Sequence, residues 1–315
     1  MKVVIPGGSG QVGTLLARDF RRLGHEVVVL SRRPPRKSLW RVVPWDGATV
    51  GAWAAEVDGA DVVINLAGRS VNCRYTAANR RLILDSRVNS TRAVGEAIAQ
   101  AGRPPRVWLQ AGTATIYAHR YDAPNDEATG QLGGSERGVP RAWRFSTTVA
   151  KAWEQALADA RSPQTRRVIL RSAMTMSPDH GGIFEVMLRL VQRGLGGQAG
   201  NGRQYLSWIH DHDFLAAIHW LVQHEEISGP VNLAAPGPLP NAEFMHWFRR
   251  TWGIGFGLPA PRPVLALGAI FLGTETELVL KSRRVVPGLL LKHGFKFRFP
   301  AWPEAVQDLC RRWRD

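Results

Sequence analysis

Three glycines near the start of the chain, Gly7, Gly10 and Gly13, follow one another at intervals of three residues and could bind the pyrophosphate of a dinucleotide. In such a turn the first glycine permits a tight bend, the second lets the backbone approach the phosphates, and the third lets a helix pack on a strand. The amides at the start of that helix face the anion. We therefore predict a dinucleotide site, rather than a purely structural turn, formed by Gly7, Gly8, Ser9, Gly10, Gln11, Val12 and Gly13.

The residues Ser31, Arg32 and Arg33 indicate which dinucleotide binds. NAD-binding domains place an acid roughly 20 residues after the glycines to hold the ribose 2′-hydroxyl. This chain has a hydroxyl and two guanidiniums there, which suit a 2′-phosphate because arginine can grip it with paired hydrogen bonds. We predict NADP(H) as the cofactor. The alternative is that residues 32–37 form a basic surface loop.

The glycine turn needs a strand before it, a helix after it and a second strand beyond. An apolar run at residues 3–5 precedes the turn, a helical pattern follows and ends at Gly24, and residues 26–30 form the second predicted strand. Pro6 is tolerated only if it lies at the end of its strand, because proline donates nothing to a sheet ladder.

Two later strands are expected to bring residues beside the cofactor. A short strand over 40–45 leads to Asp46, which we place near the adenine. A buried strand over 61–68 ends in Leu66, Ala67 and Gly68. Ligands gather at the carboxyl ends of parallel strands, so this end also belongs to the cofactor site.

The remaining pattern predicts an α/β Rossmann fold, a doubly wound parallel sheet, with a smaller C-terminal substrate lobe. We expect the NADP-binding domain over 1–175, with 205–235 returning to it, and the substrate lobe over 176–204 and 236–315, including a distinct segment from 262 to 315. Helices are predicted over 77–101, 145–160, 214–224, 241–252, 261–272, 275–281 and 303–314, and further strands over 107–111, 166–174, 231–234 and 295–299.

Composition predicts a cytoplasmic globular protein. The chain has 315 residues, 44% of them hydrophobic, and two distant cysteines, Cys73 and Cys310, which we expect to be reduced thiols. We expect no signal peptide, since the first residues already form a strand and a phosphate loop. The most apolar window, 263–273, is far shorter than the ~20 residues that span a bilayer, so no membrane is expected.

Charge and histidine content raise two other functions that we do not favour. The formal net charge of +15 could indicate nucleic-acid binding, but the arginines are scattered and form no basic tail or known signature. The run His210-Asp211-His212-Asp213 could suggest a metal site. Four consecutive residues of a turn cannot all face one ion, and Asp213 before an apolar helix is typical of an N-cap. We predict no metal.

The chain resembles an extended short-chain dehydrogenase/reductase, and more narrowly the atypical epimerase-family proteins that end in a small domain of unknown function of the DUF1731 type. The resemblance spans nearly the whole chain. It is carried by Gly7-Gly8-Ser9-Gly10-Gln11-Val12-Gly13, Trp45-Asp46, Asn65-Leu66-Ala67-Gly68, Ser86-Arg87-Val88-Asn89-Ser90-Thr91-Arg92, Ala114-Thr115-Ile116-Tyr117, Trp153-Glu154, Leu170-Arg171-Ser172, Gly194-Leu195-Gly196-Gly197, Gly200-Asn201-Gly202-Arg203-Gln204, Ser207-Trp208-Ile209-His210 and Gly294-Phe295-Lys296-Phe297-Arg298-Phe299-Pro300.

The resemblance implies catalytic roles that this chain fills only in part. In short-chain reductases a Ser or Thr holds the carbonyl oxygen, a Tyr gives the proton, and a Lys four residues later lowers the pKa of the tyrosine. Thr113 matches the holding position, although its hydroxyl could instead only cap a turn. None of the four tyrosines is followed by lysine at the fourth position, and Thr147 stands four residues before Lys151.

We therefore predict Thr113, Tyr117 and Lys151 as the catalytic residues. Tyr117 is the first candidate for the proton donor, with His119 and Tyr121 behind it, and each could instead be a packing or surface residue. A threonine hydroxyl is a far poorer acid than a phenol, whose pKa is about 10.

The predicted substrate residues are Arg87, Thr115 and Trp208. Arg87 could face the site and bind an acidic substrate, or it could pair with Asp85 or Glu96. The leading hypothesis is an NADP(H)-dependent oxidoreductase acting on a small organic carbonyl or enone substrate. A non-catalytic NADP(H)-binding sensor and a redox-neutral epimerase are the alternatives, and a homodimer is left open.

Overall fold

A computed structural model of the chain describes residues 1–271 and 275–315, without the side chains of 267–271 and 278. Seven parallel strands form the central sheet in the order β10-β6-β5-β4-β1-β2-β3. The strands are β1 (Lys2–Pro6), β2 (Glu26–Ser31), β3 (Arg41–Pro44), β4 (Val62–Asn65), β5 (Val107–Ala111), β6 (Arg166–Ser172), β7 (Met174–Met176), β8 (Tyr205–Leu206), β9 (Trp208–His210), β10 (Gly229–Leu233) and β11 (Leu239–Pro240). This strand order is that of a doubly wound dinucleotide-binding sheet, and the predicted fold class is confirmed.

The helices cover both faces of the sheet and build the second half of the molecule. They are α1 (Gln11–Arg22), α2 (Ala77–Gln100), α3 (Arg141–Ala158), α4 (Ile183–Gln192), α5 (Asp211–Gln223), α6 (Asn241–Trp252), α7 (Arg262–Phe271), α8 (Glu277–Leu280), α9 (Gly288–Lys292) and α10 (Trp302–Arg314). Among the described residues, no helix is both long and apolar enough to cross a bilayer.

Alternate residues of each buried strand face opposite helical layers. Val3 and Ile5 of β1 join a core cluster that includes Leu16 of α1 and Phe214 of α5. Val4, between them, joins the cluster on the other face of the sheet. Strands buried on both faces read as continuous apolar runs, which is why β1 and β2 were recognisable. Pro6 is the last residue of β1, as predicted.

A second core lies beyond the sheet and is formed by α4, α6 and α10. Trp302 of α10 stacks on Phe244 of α6, with ring centroids 3.9 Å apart, and packs against Trp208 of β9. The C-terminal segment also returns to the first core, because Leu290 of α9 and Phe295 join the cluster beneath the sheet.

Three sequence predictions were wrong in this half of the molecule. Residues 295–299 alternate like a strand but form none, because the amides of Arg298 and Phe299 donate to the Asp213 carboxylate instead of a neighbouring strand. Asp213 is therefore not the N-cap of α5; that position is held by His210, whose side chain accepts from the His212 amide. The predicted strand over 166–174 divides at Ala173 into β6 and β7.

The pattern also missed two helices, α4 and α9, the second of only five residues. Leu272, the last residue of the helix predicted over 261–272, lies outside the described residues. Both cysteines are free.

Candidate active site

The glycine turn is packed so tightly that Gly7 and Gly13 admit no side chain. Gly7 has φ +72°, and a Cβ there would lie 2.5 Å from the Ala67 Cα. A Cβ on Gly13 would lie 2.4 Å from the Gly8 Cα. A Cβ on Gly10, by contrast, would meet no atom of the described residues within 4 Å beyond its chain neighbours. The turn therefore leaves open space next to Gly10, and we call this space the cradle.

The start of α1 faces this cradle. Its N-cap is Gly10, which has no side chain to cap the first amides, and its described first turn carries no acidic residue. Unsatisfied amides and the positive end of the helix dipole favour an anion at this position. The Gln11 side chain is directed elsewhere, since its amide donates to the Asp179 carbonyl at 3.3 Å. These residues fit a dinucleotide pyrophosphate.

Arg32 and Asp46 line an open cleft at the ends of β2 and β3, together with Trp45, Thr49 and Trp53. The Asp46 carboxylate accepts from the Thr49 hydroxyl and from the amides of Thr49 and Ala48, and these bonds lower its pKa. Ser31 is buried and its hydroxyl accepts from the Arg33 amide at 3.2 Å. The two arginines are exposed.

The segment after β4 forms the wall against which the glycine turn packs. The Leu66 amide donates to the Pro6 carbonyl at 2.8 Å, and the Ala67 amide donates to the Asn65 side chain at 3.1 Å. The Asn65 amide donates in turn to Gln110 of β5 at 3.0 Å. These buried bonds tie the carboxyl ends of β1, β4 and β5 together.

A cavity of about 240 Å³ lies farther along the same edge of the sheet, and we name it the carboxyl-edge cavity. Its apolar wall contains Phe145 and Trp153. Its polar lining consists of Tyr75, Arg87, Thr113, Thr115, Ser146, Glu277 and Arg283. The Arg87 guanidinium carbon lies 3.3 Å from where a Gly68 Cβ would be, so this cavity adjoins the wall of the glycine turn.

Thr113 lines the cavity at the end of β5 and also caps the short 3₁₀ turn Ala114–Ile116. Its Oγ1 accepts from the Thr115 amide at 3.1 Å. A hydroxyl can donate one hydrogen bond and accept two, so Thr113 Oγ1 can accept this bond and still donate its own hydrogen to a ligand. The capping alternative and the predicted position in a site are therefore compatible.

Tyr117 does not line the cavity. Its hydroxyl donates to Asn232 Oδ1 at 2.9 Å and accepts from Arg171 at 2.8 Å. Arg171 is held by two bonds to the Glu154 carboxylate, each 2.8 Å long. Burial raises the pKa of Tyr117. This geometry gives Tyr117 a structural environment and does not support the predicted role of proton donor.

Lys151 and Thr147 lie on other faces of α3 than the one that borders the cavity. Lys151 is exposed, and the Thr147 hydroxyl donates to carbonyls of its own helix. Ser146 and Ala150, one residue earlier in each case, line the cavity. The two residues four apart on α3 that face the cavity are therefore Ser146 and Ala150, and the predicted catalytic residue Lys151 does not line it.

Arg87 is half-buried and packs against the indole of Trp153, with 4.9 Å from its guanidinium carbon to the ring centroid. Its Nη1 donates to the carbonyls of Arg69 and Ile83, both at 3.0 Å, and burial lowers its pKa to about 10. Among the described residues it forms no ion pair with Asp85 or Glu96, the predicted alternative.

The other two predicted substrate residues lie in different places. Thr115 lines the cavity, and its Oγ1 accepts from Arg283 Nε at 3.1 Å. Trp208 is fully buried in the second core, where its indole donates to the Gly237 carbonyl at 3.2 Å. Trp208 is therefore too far inside the second core to line this cavity.

Sequence reasoning missed the cavity's contributions from Tyr75, Ser146, Glu277 and Arg283. Ser146 donates to Glu277, and the Tyr75 hydroxyl lies 3.4 Å from Ser146 Oγ. Burial raises the pKa of Glu277. The helical period of α3, once aligned with the apolar positions Val149 and Trp153, could have identified Ser146. No local signal identifies the other three.

The histidines at the start of α5 lie in a compact cluster with the charged side chains of Asp211, Asp308 and Arg312. His210 Nε2 lies 3.1 Å from the Asp308 carboxylate, and Arg312 binds both Asp308 and Asp211. Potential ligand atoms of His210, His212 and Asp308 lie within 4.8 Å of one another. Because the Arg312 guanidinium already supplies the positive charge these carboxylates need, the cluster has a sufficient structural explanation.

Comparison with known proteins identifies two matching families. The model of the NAD dependent epimerase/dehydratase family matches residues 3–234, and that of a domain of unknown function, DUF1731, matches residues 260–309. The bovine epimerase family protein SDR39U1 is 30% identical over 98% of this chain and 99% of its own length. An epimerase family protein of Mycobacterium tuberculosis is 30% identical over 96% of both chains.

Two solved structures are similar over almost the whole chain. The human epimerase family protein SDR39U1, isoform 2, crystallised with NADPH, has a TM-score of 0.85 at 28% identity and 99% coverage of both chains. A nucleoside-diphosphate sugar epimerase of Corynebacterium glutamicum has a TM-score of 0.76 at 27% identity, with 98% of this chain and 58% of that one covered.

Proposed function

Since this chain belongs to the NAD dependent epimerase/dehydratase family, we propose that it is an NADP(H)-dependent oxidoreductase of the atypical extended short-chain type. Its substrate is a small organic carbonyl or enone compound bound in the carboxyl-edge cavity. We further propose that it acts in the cytoplasm, with the thiols of Cys73 and Cys310 reduced.

The observation that carries this proposal is the placement of the cradle and the cavity along one edge of the sheet. Gly68 borders the glycine turn through its neighbour Ala67 and borders the cavity through Arg87. A dinucleotide whose pyrophosphate lies in the cradle would extend its reactive end along that edge, as ligands do in folds of this type. The human relative crystallised with NADPH supports the choice of dinucleotide.

The chain's own residues would select and orient the ligands. Arg32, in the cleft beside Asp46, binds the 2′-phosphate. When bound, the reduced nicotinamide supplies a hydride. The Thr113 hydroxyl donates a hydrogen bond to the substrate oxygen and so stabilises the charge that develops there. Phe145 and Trp153 exclude water, and Arg87 favours an anionic group on the substrate.

Calorimetry with NADPH and NADH, followed by incubation of the NADPH complex with ketones, quinones and enones, tests the proposal. We expect tighter binding of NADPH than of NADH, thermal stabilisation by members of the panel, and loss of NADPH absorbance with at least one of them. Absence of affinity for either dinucleotide would refute the proposed site.

A second candidate function is a NADP(H)-binding protein without turnover. It is favoured by the identity of the pair that faces the cavity, since Ser146 and Ala150 offer neither a phenol nor an ammonium group. Tight NADPH binding without absorbance loss across the panel would support it. A redox-neutral epimerase would instead convert a substrate to its isomer without net consumption of cofactor.

A further inference from the structure

We propose that Tyr75, Ser146 and Glu277 form a proton relay, in which the Tyr75 hydroxyl protonates the substrate oxygen and Ser146 carries the replacing proton from Glu277. The inference rests on the proposed function and names the acid that a reductase without a Tyr-x-x-x-Lys pair requires. Tyr75 is its catalytic residue. Ser146 and Glu277 act through Tyr75.

The three side chains meet although their segments are distant in the chain. Tyr75 precedes α2, Ser146 lies on α3, and Glu277 begins α8 in the C-terminal segment. All three line the same cavity as Thr113. The two oxygens of Tyr75 and Ser146 are 3.4 Å apart, and Ser146 Oγ donates to Glu277 Oε2. The hydroxyls therefore form a continuous path from the carboxyl group to the cavity.

The Tyr75 phenol is held in one orientation. Its ring makes an edge contact with Phe145, at 5.1 Å between centroids, and the residue is 8% exposed. Its amide donates to the Glu275 carboxylate at 2.8 Å, so the C-terminal segment also fixes its backbone. A rigid phenol at the cavity wall loses little freedom when it protonates a ligand.

Glu277 can hold the proton that the relay transfers. Its side chain is 1% exposed, and burial favours its neutral form over its charged form. The charged groups that face Glu277 are Lys281, whose Nζ lies 4.0 Å from Oε1, and Arg283 and Glu275. The two cations oppose the effect of burial and the neighbouring carboxylate reinforces it, and the net result is a raised pKa for Glu277.

The step balances without a further reagent. A hydride adds to the carbonyl carbon, the π pair moves to the oxygen, and that oxygen takes the proton of the Tyr75 hydroxyl. Tyr75 takes the Ser146 proton, and Ser146 takes the proton of the Glu277 carboxyl group. The product is an alcohol and a Glu277 carboxylate, which solvent later protonates. The bond that Ser146 donates to Glu277 matches the carboxylate form that remains after transfer.

Infrared titration of the NADPH complex tests the relay without turnover. Subtracting the spectrum of Glu277→Gln from that of the wild type should isolate a carboxylic acid carbonyl band that persists above the ordinary titration range of glutamate. Ser146→Ala should shift this band and Ser146→Thr should restore it, because only the threonine keeps a hydroxyl beside Glu277. A Glu277 that titrates as an ordinary exposed glutamate, or a band insensitive to Ser146→Ala, overturns the proposal.

Single-turnover reduction of a panel member that the wild type reduces provides the second readout. Tyr75→Phe should slow hydride transfer by about 10²–10⁴-fold, the usual range for general acid catalysis, while NADPH affinity is retained. The wild-type rate should fall as pH rises through the pKa of Glu277, and Glu277→Gln should remove that dependence. Tyr205→Phe is the matched control, since its ring packs against Arg284 outside the cavity.

The two proposals fail in different ways. A wild-type protein that binds NADPH but reduces no member of the panel contradicts the proposed function. A wild-type protein that reduces a panel member while Tyr75→Phe does so at the same rate leaves the function intact and overturns the relay.

Discussion

The glycine turn occupies seven consecutive residues, whereas the polar wall of the carboxyl-edge cavity joins Tyr75, Ser146 and Glu277, which are 71 and 131 residues apart along the chain. The turn depends on backbone approach that only glycine permits. The cavity depends on which side chains a folded sheet brings to one edge. A site formed by consecutive residues can be recognised as a sequence motif. A site assembled from distant segments has no such motif in any one of them.

The largest expected effect tests whether the glycine turn is as tightly constrained as its geometry indicates. We expect Gly7→Ala to lower the free energy of unfolding by about 2–6 kcal/mol, because a left-handed backbone and a clash with Ala67 each cost about 1–3 kcal/mol. Urea denaturation of the wild type and of Gly7→Ala measures this loss of unfolding free energy.

Gly10→Ala is the matched control for that prediction. Its added methyl enters open space, so stability should change by only about 1 kcal/mol, the usual scale of an N-cap substitution. NADPH binding should nevertheless weaken strongly, since the methyl occupies the cradle. Equal losses of stability in Gly7→Ala and Gly10→Ala would contradict the difference between the two glycines.

The choice between NADPH and NADH tests the cofactor site at Arg32, away from the glycine turn. Arg32→Ala should weaken NADPH binding by about 1.5–3 kcal/mol, the usual worth of a hydrogen bond to a charged group, and leave NADH binding nearly unchanged. Calorimetry of both cofactors measures the two losses. If they were equal, Arg32 would not contact the 2′-phosphate.

Tyr117 tests whether a tyrosine near the site by sequence belongs to it by structure. Tyr117→Phe removes the hydroxyl that joins Asn232 to Arg171 and should lower stability by about 1–3 kcal/mol, because buried partners are left without their bond. Hydride transfer should be unaffected in the folded fraction. A large loss of rate at unchanged stability would return Tyr117 to the catalytic role predicted from sequence.

Most of the fold could be predicted from the sequence, because most helices and strands follow from the pattern of apolar residues within each segment. β5 and α6 have the predicted bounds, since continuous apolar runs and helical periods mark them directly. Residues 295–299 show where such rules fail, because a distant carboxylate, Asp213, takes their amides. The candidate site likewise has a part that could be predicted from one segment and a part that depends on contacts between distant segments.

The cavity could be predicted in part, because Thr113 and Thr115 after β5 and Arg87 on α2 were expected at a site and line it. The helical period of α3 could also have identified Ser146, but Lys151 was predicted on that helix instead, and it does not line the cavity. Glu277 lies in a segment far from α3 in sequence, and its role depends on how α8 docks beside α3 and the residues before α2. No pattern within the C-terminal segment records that contact.

The smallest expected effect concerns Lys151, one of the three catalytic residues predicted from the sequence. Its side chain is exposed and does not line the cavity, so Lys151→Ala should change stability by no more than about 0.5 kcal/mol. The rate of hydride transfer should remain close to that of the wild type. Ser146→Ala, five residues earlier on the same helix, should slow the same reaction, because only the face of α3 that carries Ser146 and Ala150 borders the cavity. If Lys151→Ala slowed hydride transfer and Ser146→Ala did not, the face of α3 that carries Lys151 would be the one that borders the bound ligands.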